Sequence, residues 1–171
     1  ILEYFNNRIA SEIRLADAID RKLLSPFHYF GVTDSENLCH LKWSRGGYLV
    51  SELENVYTKS KQRNQVIIDA MNRYLKDMES FKALGFCVSI EHANFMAKSF
   101  NQVGIKSIAL HSNTSQEERE RAKLRLQKGK INCIFTVDLF NEGVDIPDID
   151  TVIFLRSTES LTIFIQQLGR G

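Results

Sequence analysis

The chain has no GxxxxGK[ST] phosphate loop, no GxGxxG turn behind a strand, and no CxxC or CxxH pair. The first absence excludes a self-sufficient nucleotide hydrolase, the second a dinucleotide fingerprint, and the third a zinc site. Three cysteines, Cys39, Cys87 and Cys133, are an odd number without the spacing of a disulfide framework. Cys87 and Cys133 each sit inside an apolar run and are expected in the core. No apolar stretch approaches the ~20 residues that cross a bilayer, and the opening ILEYFNNRIASE lacks the basic and apolar regions of a signal peptide. A cytoplasmic protein is the expectation. The formal net charge of +1 carries no global mark of a nucleic-acid binder, so any such signal must be local. With two prolines and nine glycines in 171 residues there is no obvious linker, and one domain with an extra arm is expected. The four histidines lack metal-ligand spacing, no nucleophile sits in an elbow, and no metal site is expected on this chain.

What is present is an alternation. From Leu84 onward, short runs rich in β-branched and aromatic residues, GFCVSI (85–90), KSIAL (106–110), INCIFTV (131–137) and TVIFLR (151–156), read as strands. Between the first three lie stretches of helical period. In EHANFMAKSFNQVG, Ala93, Met96, Ala97, Phe100 and Val103 recur at spacings of three and four, and Gly104 is placed to end the helix. In SQEERERAKLRLQKGK, Ser115 is a candidate N-cap, Glu117 and Glu118 fall in the first turn, and Lys128-Gly129 ends the helix. Six basic residues against three acidic ones in that second stretch are the one local charge excess, read first as the solvated face of a helix. Strand and helix in alternation predict an α/β fold: an open, mainly parallel sheet with helices on both faces.

The first half is less regular. The stretch 58–80 reads as one long amphipathic helix, residues 15–24 as another helix, and SPFHYFGV (25–32) as an opening strand. Gly46-Gly47 marks a turn, and Ser51 is a candidate cap for a short helix. Trp43, Phe27, Tyr29 and Phe30 are assigned to core packing, a stacking platform being the other reading.

In an open parallel sheet the ligand site lies beyond the carboxyl ends of the strands. Three loops there are informative: Glu91-His92 after the first run, His111-Ser112-Asn113-Thr114 after the second, and Asp138 to Pro147 after the third. In NEGVDIPDID, Gly143 lets backbone approach a ligand, Asp145 offers a carboxylate to a ribose hydroxyl or a charge partner, and Pro147 fixes the returning chain. An irregular loop with a convenient glycine is the other reading. In FIQQLGRG the planar guanidinium of Arg170 suits a phosphate, the competing reading being a solvent-exposed arginine.

Taken in order, these stretches resemble the second RecA-like domain of superfamily-2 helicases and translocases. LGFCVSIEHANFMAKSF looks like motif IV, IALHSNTSQEER like the strand, loop and helix start that follow, IFTVDLFNEGVDIPDIDTVIFLRSTES like motif V, and FIQQLGRG like the first part of motif VI. The likeness covers residues 84–171. EIRLADAIDRKLLSPFHYF is similar to the segment by which restriction-type and UvrB-like members leave their first motor domain, which implies an arm over 1–25 and the RecA-like domain over 26–171. Motif VI usually runs Gln-x-x-Gly-Arg-x-x-Arg, so a chain ending at Gly171 is expected to be a fragment that stops within it.

The resemblance implies ATP with Mg2+, bound mainly by a first RecA-like domain of the same chain that carries the phosphate loop and the acidic magnesium motif. On this side of the cleft it implies Gly143 and Asp145 near ribose and phosphate, and Gln166 and Arg170 facing the phosphates, with Arg170 as the catalytic arginine finger. It implies nucleic-acid backbone contacts at Ser89 or His92, at His111 and Ser112, at Arg119 and at Thr136, the strand being DNA on the likeness to restriction-type relatives. The fragment alone is expected to be inactive. A non-hydrolysing module that binds nucleic acid or protein is the alternative from another class. A nucleotide-sugar or cofactor domain would need a glycine-rich first turn that SPFHYFGVTDSEN does not supply.

Overall fold

The computed structural model describes residues 15–22, 26–33, 36–44, 47–137 and 149–156, and the chain divides into a unit of residues 1–31 and a unit of residues 32–171. In the first unit the expected helix forms as α1 (Leu15–Asp20), with Ala18 buried. The opening strand expected over 25–32 does not form: residues 26–32 join no ladder. A strand with period two needs one covered face. Here Phe27 and Tyr29, which would share one face of a strand, and Phe30, which would lie on the other, are all exposed, and the His28 ring stacks on Phe30 at 6.2 Å. The assignment of these aromatics to the core is therefore corrected, and so is that of Trp43, 61% exposed.

The second unit begins with a short antiparallel pair, β1 (Trp43–Ser44) and β2 (Gly47–Tyr48), with Trp43 opposite Tyr48. The single helix expected over 58–80 is replaced by two, α2 (Val50–Lys59) and α3 (Lys61–Tyr74). Ser60 separates them. Its backbone is extended, and its hydroxyl accepts the Arg63 N–H at 3.0 Å while donating to the Glu36 carboxylate. A serine hydroxyl competing for backbone donors favours a new helix start over a continued helix. Ser51 lies inside the first turn of α2 and does not cap it; the cap position is Leu49.

The remaining strands are β3 (Ala83–Phe86), β4 (Ser107–Leu110), β5 (Cys133–Thr136) and β6 (Thr151–Phe154). They pair in the order β4-β5-β3-β6, all parallel. Helix α4 (Ile90–Gln102) connects β3 to β4, and α5 (Gln116–Gln127) connects β4 to β5. Strand alternation divides the core into two layers. Ala83, Cys133 and Phe135 pack with Ile68 and Met71 of α3 and Met96 and Phe100 of α4. Leu84, Phe86 and Ile134 pack with Ala122 and Leu126 of α5. Both faces are covered, as the sequence pattern predicts, and Cys87 and Cys133 are buried.

One glycine is set by packing. Gly85 faces Phe135 across the sheet, and a Cβ there would lie 2.4 Å from the ring, which Phe100 holds edge-on at 4.8 Å. Gly104 and Gly129, at φ +87° and +63°, take the left-handed conformation just past α4 and α5, where the sequence places helix ends.

Candidate functional site

The register aligns the strand ends. Phe86 pairs with Thr136 and with Phe154, and Leu110 with Thr136, so four parallel strands finish on one line. Everything that leaves their carboxyl ends leaves at one rim.

At the β3–α4 junction the Ser89 hydroxyl caps the helix, accepting the His92 N–H at 3.0 Å. His92 itself has no exposed surface. Its Nδ1 accepts the Val88 N–H at 3.4 Å, which assigns the proton to Nε2. The Tyr57 ring of α2 lies 5.3 Å from the imidazole, and the Arg63 guanidinium of α3 stacks over that same tyrosine at 3.8 Å from its centroid. Arg63, buried, also donates to the Leu155 carbonyl at 3.2 Å, just past β6. Loss of solvation, with the Arg63 charge adding to it, lowers the His92 pKa from 6.5 to about 3. The imidazole is therefore neutral at pH 7. Burial likewise pushes the Cys87 and Cys133 thiols up, against the opposing charges of Arg63 and Arg156 at Cys87. Both are protonated and unsuited to nucleophilic work.

The β4–α5 junction is more exposed. The His111 N–H donates to the Thr114 hydroxyl at 3.0 Å and the Thr114 N–H returns to the His111 carbonyl at 2.9 Å, closing a tight turn. Ser115 and Glu118 form a reciprocal capping box at the start of α5. Arg119 reaches back from the first turn and donates to the Ser112 carbonyl at 2.7 Å and to that of His111 at 3.5 Å. Its guanidinium braces the loop and brings positive charge to it. Ser112 is exposed, and His111 and Arg119 are half-buried. The Glu117–Arg121 pair beside them, at 3.5 Å between largely exposed side chains, contributes little.

Six sequence candidates thus fall on or beside one rim, in different settings. His111, Ser112 and Arg119 share one loop; Ser89 is a buried cap; His92 and Thr136 are fully buried, the Thr136 hydroxyl having no partner among the described residues. Gly143, Asp145, Gln166 and Arg170 lie outside the described residues. Among the described residues no group of histidines, cysteines and carboxylates could hold a metal, and no helix is long and apolar enough to cross a membrane. Tyr57 and Arg63 were not anticipated from the sequence. The available signal was positional: Arg63 lies on the apolar stripe of α3, four residues before Ile67 and seven before Ala70.

The family described as Helicase conserved C-terminal domain matches residues 62–171. A 51.5 kDa protein of a Lactococcus phage is 30% identical over 153 residues, covering 90% of this chain and 32% of that protein. The putative ATP-dependent helicase IRC3 of Saccharomyces cerevisiae is 26% identical over 157 residues, covering 92% of this chain and 23% of its own. The chain therefore spans a third or less of these relatives. The Escherichia coli DEAD-box protein SrmB, solved with a regulator of ribonuclease activity, superposes with a TM-score of 0.56 at 23% identity, over 63% of this chain and 61% of that one, which is a likeness of fold. A parallel sheet with helices on both faces, two helices opening at its carboxyl rim, and a family match over most of the chain agree: this is a C-terminal helicase domain of superfamily 2.

Proposed function

We propose that this chain is the C-terminal motor domain of an ATP-dependent DNA helicase or translocase, working in the cytoplasm with a first RecA-like domain of the same protein. The observation that supports this most is the common rim: α4 and α5 start beyond strands that end in register, and helix starts with hydroxyls and an arginine suit phosphates. Ser112, exposed, with His111 and Arg119, half-buried beside it, forms the contact to the strand backbone. Ser89 reaches it through its capping hydroxyl. His92 and Thr136, being buried, act by holding the rim in shape. Contacts of this kind ignore base sequence and weaken as salt rises.

ATP with Mg2+, held mainly by the first motor domain, supplies the γ-phosphoryl group whose transfer drives the cycle. On this chain, Gly143 admits backbone close to the nucleotide, Asp145 accepts from a ribose hydroxyl, and Gln166 faces the phosphates. Arg170 offsets the negative charge that develops in transfer, a role that contributes about 10³- to 10⁵-fold in rate where it is measured. Closure and release of the cleft then move this domain along the strand. This chain by itself is inactive, having no phosphate loop.

The test is ATP hydrolysis by the full-length protein, wild type and Arg170→Ala, with single-stranded DNA, with RNA and with neither. DNA-stimulated hydrolysis that falls by at least two orders of magnitude in the variant, while ATP still binds, is the expected result. Relatives named ATP-dependent RNA helicases make the RNA arm necessary; stimulation by RNA alone would overturn the choice of DNA. Strand binding with no hydrolysis in either protein would leave a binding module.

A further inference from the structure

Trp43 is the most conspicuous side chain that the proposed motor does not use. It is 61% exposed on the two-residue strand β1, directly opposite Tyr48 on β2. The two rings meet edge to face, with centroids 4.9 Å apart and planes at 89°. An edge-to-face contact of this kind fixes the indole, and the residue stays largely exposed. Tyr48 is in turn half-buried in a small apolar cluster with Leu53 and Tyr57 of α2 and with Val88. The base of the pair is fastened as well: the Lys42 N–H donates to the Glu52 carboxylate at 2.7 Å, and the Leu49 N–H to the Lys42 carbonyl at 3.3 Å. Free energy is thus invested in holding a large aromatic ring out in water.

Val88 connects this platform to the rim, because the next residue is Ser89, the cap of α4. An exposed cation, Lys42, directly precedes the indole in the chain. From His40 to Tyr48 the sequence HLKWSRGGY holds Lys42 and Arg45 and no carboxylate. Flat aromatic surface beside a cation suits an unpaired nucleotide, whose base offers a π-face and whose phosphate offers negative charge. A partner protein's apolar groove would gain nothing from the Lys42 charge.

We infer that Trp43, held by Tyr48, is a stacking site for an unpaired base of the strand whose backbone lies along the rim. The inference rests on the nucleic-acid reading proposed above and adds to it a base contact indifferent to sequence. Stacking also gives the strand a fixed point that backbone contacts alone do not supply.

The test is the affinity of the full-length protein, as wild type, Trp43→Phe and Trp43→Ala, for a single-stranded oligonucleotide and for the same strand with abasic sites throughout. Wild type should prefer the strand with bases, and Trp43→Ala should lose about tenfold to a hundredfold of affinity for it. Trp43→Phe should fall between them. The abasic strand, with nothing to stack, should bind wild type and Trp43→Ala alike. Equal losses on both strands would overturn the inference and make Trp43 a packing residue against protein; no loss on either would overturn it outright. Wild type that binds neither strand would instead bring down the nucleic-acid reading itself, and this inference with it.

Discussion

At the start of α4 the polar groups are enclosed: His92 has no exposed surface, Tyr57 lies against it, and Arg63 stacks on the tyrosine and bonds the Leu155 carbonyl. At the start of α5 the same kinds of residue surround a tight local turn, with Ser112 exposed and His111 and Arg119 half-buried. Both helices open at one rim of one sheet. The difference comes from what covers them: α2 and α3 lie on the α4 side, and α5 carries only Ala122 and Leu126 as buried residues. One junction is built for rigidity and the other is available to a ligand, so the two should respond to substitution in opposite currencies, stability and binding.

The largest effect is expected at the enclosed junction. Arg63→Ala removes a stacked guanidinium and a charged donor to the Leu155 carbonyl, and should cost about 2–4 kcal/mol in urea unfolding. Arg63→Lys keeps the charge without the planar fork and should recover only part of that. If Arg63→Ala unfolds at the wild-type midpoint, the enclosed junction is not what holds this side together.

A pH effect should follow at the same place. The His92 pKa is about 3 in the folded chain and near 6.5 when unfolded, so acid protonates the unfolded state first. Stability from this group is complete above pH 6.5 and is lost progressively as pH falls toward 3. Between pH 7 and pH 5 the loss is about 2 kcal/mol. Protonation would also set an N–H of the ring against the Val88 N–H that Nδ1 now accepts. His92→Asn keeps an acceptor and does not titrate, so its unfolding should show a shallower dependence over that window. Equal slopes for the two proteins would remove the enclosed histidine from the account.

Smaller effects belong to the open junction. Ser115→Ala breaks the capping box of α5 and should cost about 1 kcal/mol. Arg119→Ala should change stability by only about 0.5 kcal/mol, yet weaken strand binding and reduce its dependence on log salt by about one unit. A large stability loss with unchanged binding would reduce Arg119 to the loop brace seen in the structure.

The sheet and its two covering helices were legible because their signals are local and agree with one another. The Ser115 cap, the glycines past each helix and the apolar periods of α4 all point to the elements that form. The errors fall where the outcome depends on distant partners. Ser60 reads as an ordinary helix residue until Glu36, 24 positions away, accepts from its hydroxyl. The aromatics at 27–30 read as a strand, but nothing in their own sequence shows that they join no ladder among the described residues. His92 is equally ambiguous: a histidine after a strand looks like a contact, and what covers it, Tyr57 of α2 with Arg63 of α3 stacked on that tyrosine, lies far from it in the sequence. The reverse holds for His111, Ser112 and Arg119, whose local turn and nearby helix start could be read in place.

The most direct measurement is ATP hydrolysis by the full-length wild-type protein, titrated with single strands of unrelated sequence at increasing salt. A motor that holds its strand by the backbone at this rim should be stimulated by each sequence alike, with the half-saturating strand concentration rising steadily with salt. A rate indifferent to every strand, or a response to one sequence that salt does not weaken, would contradict it.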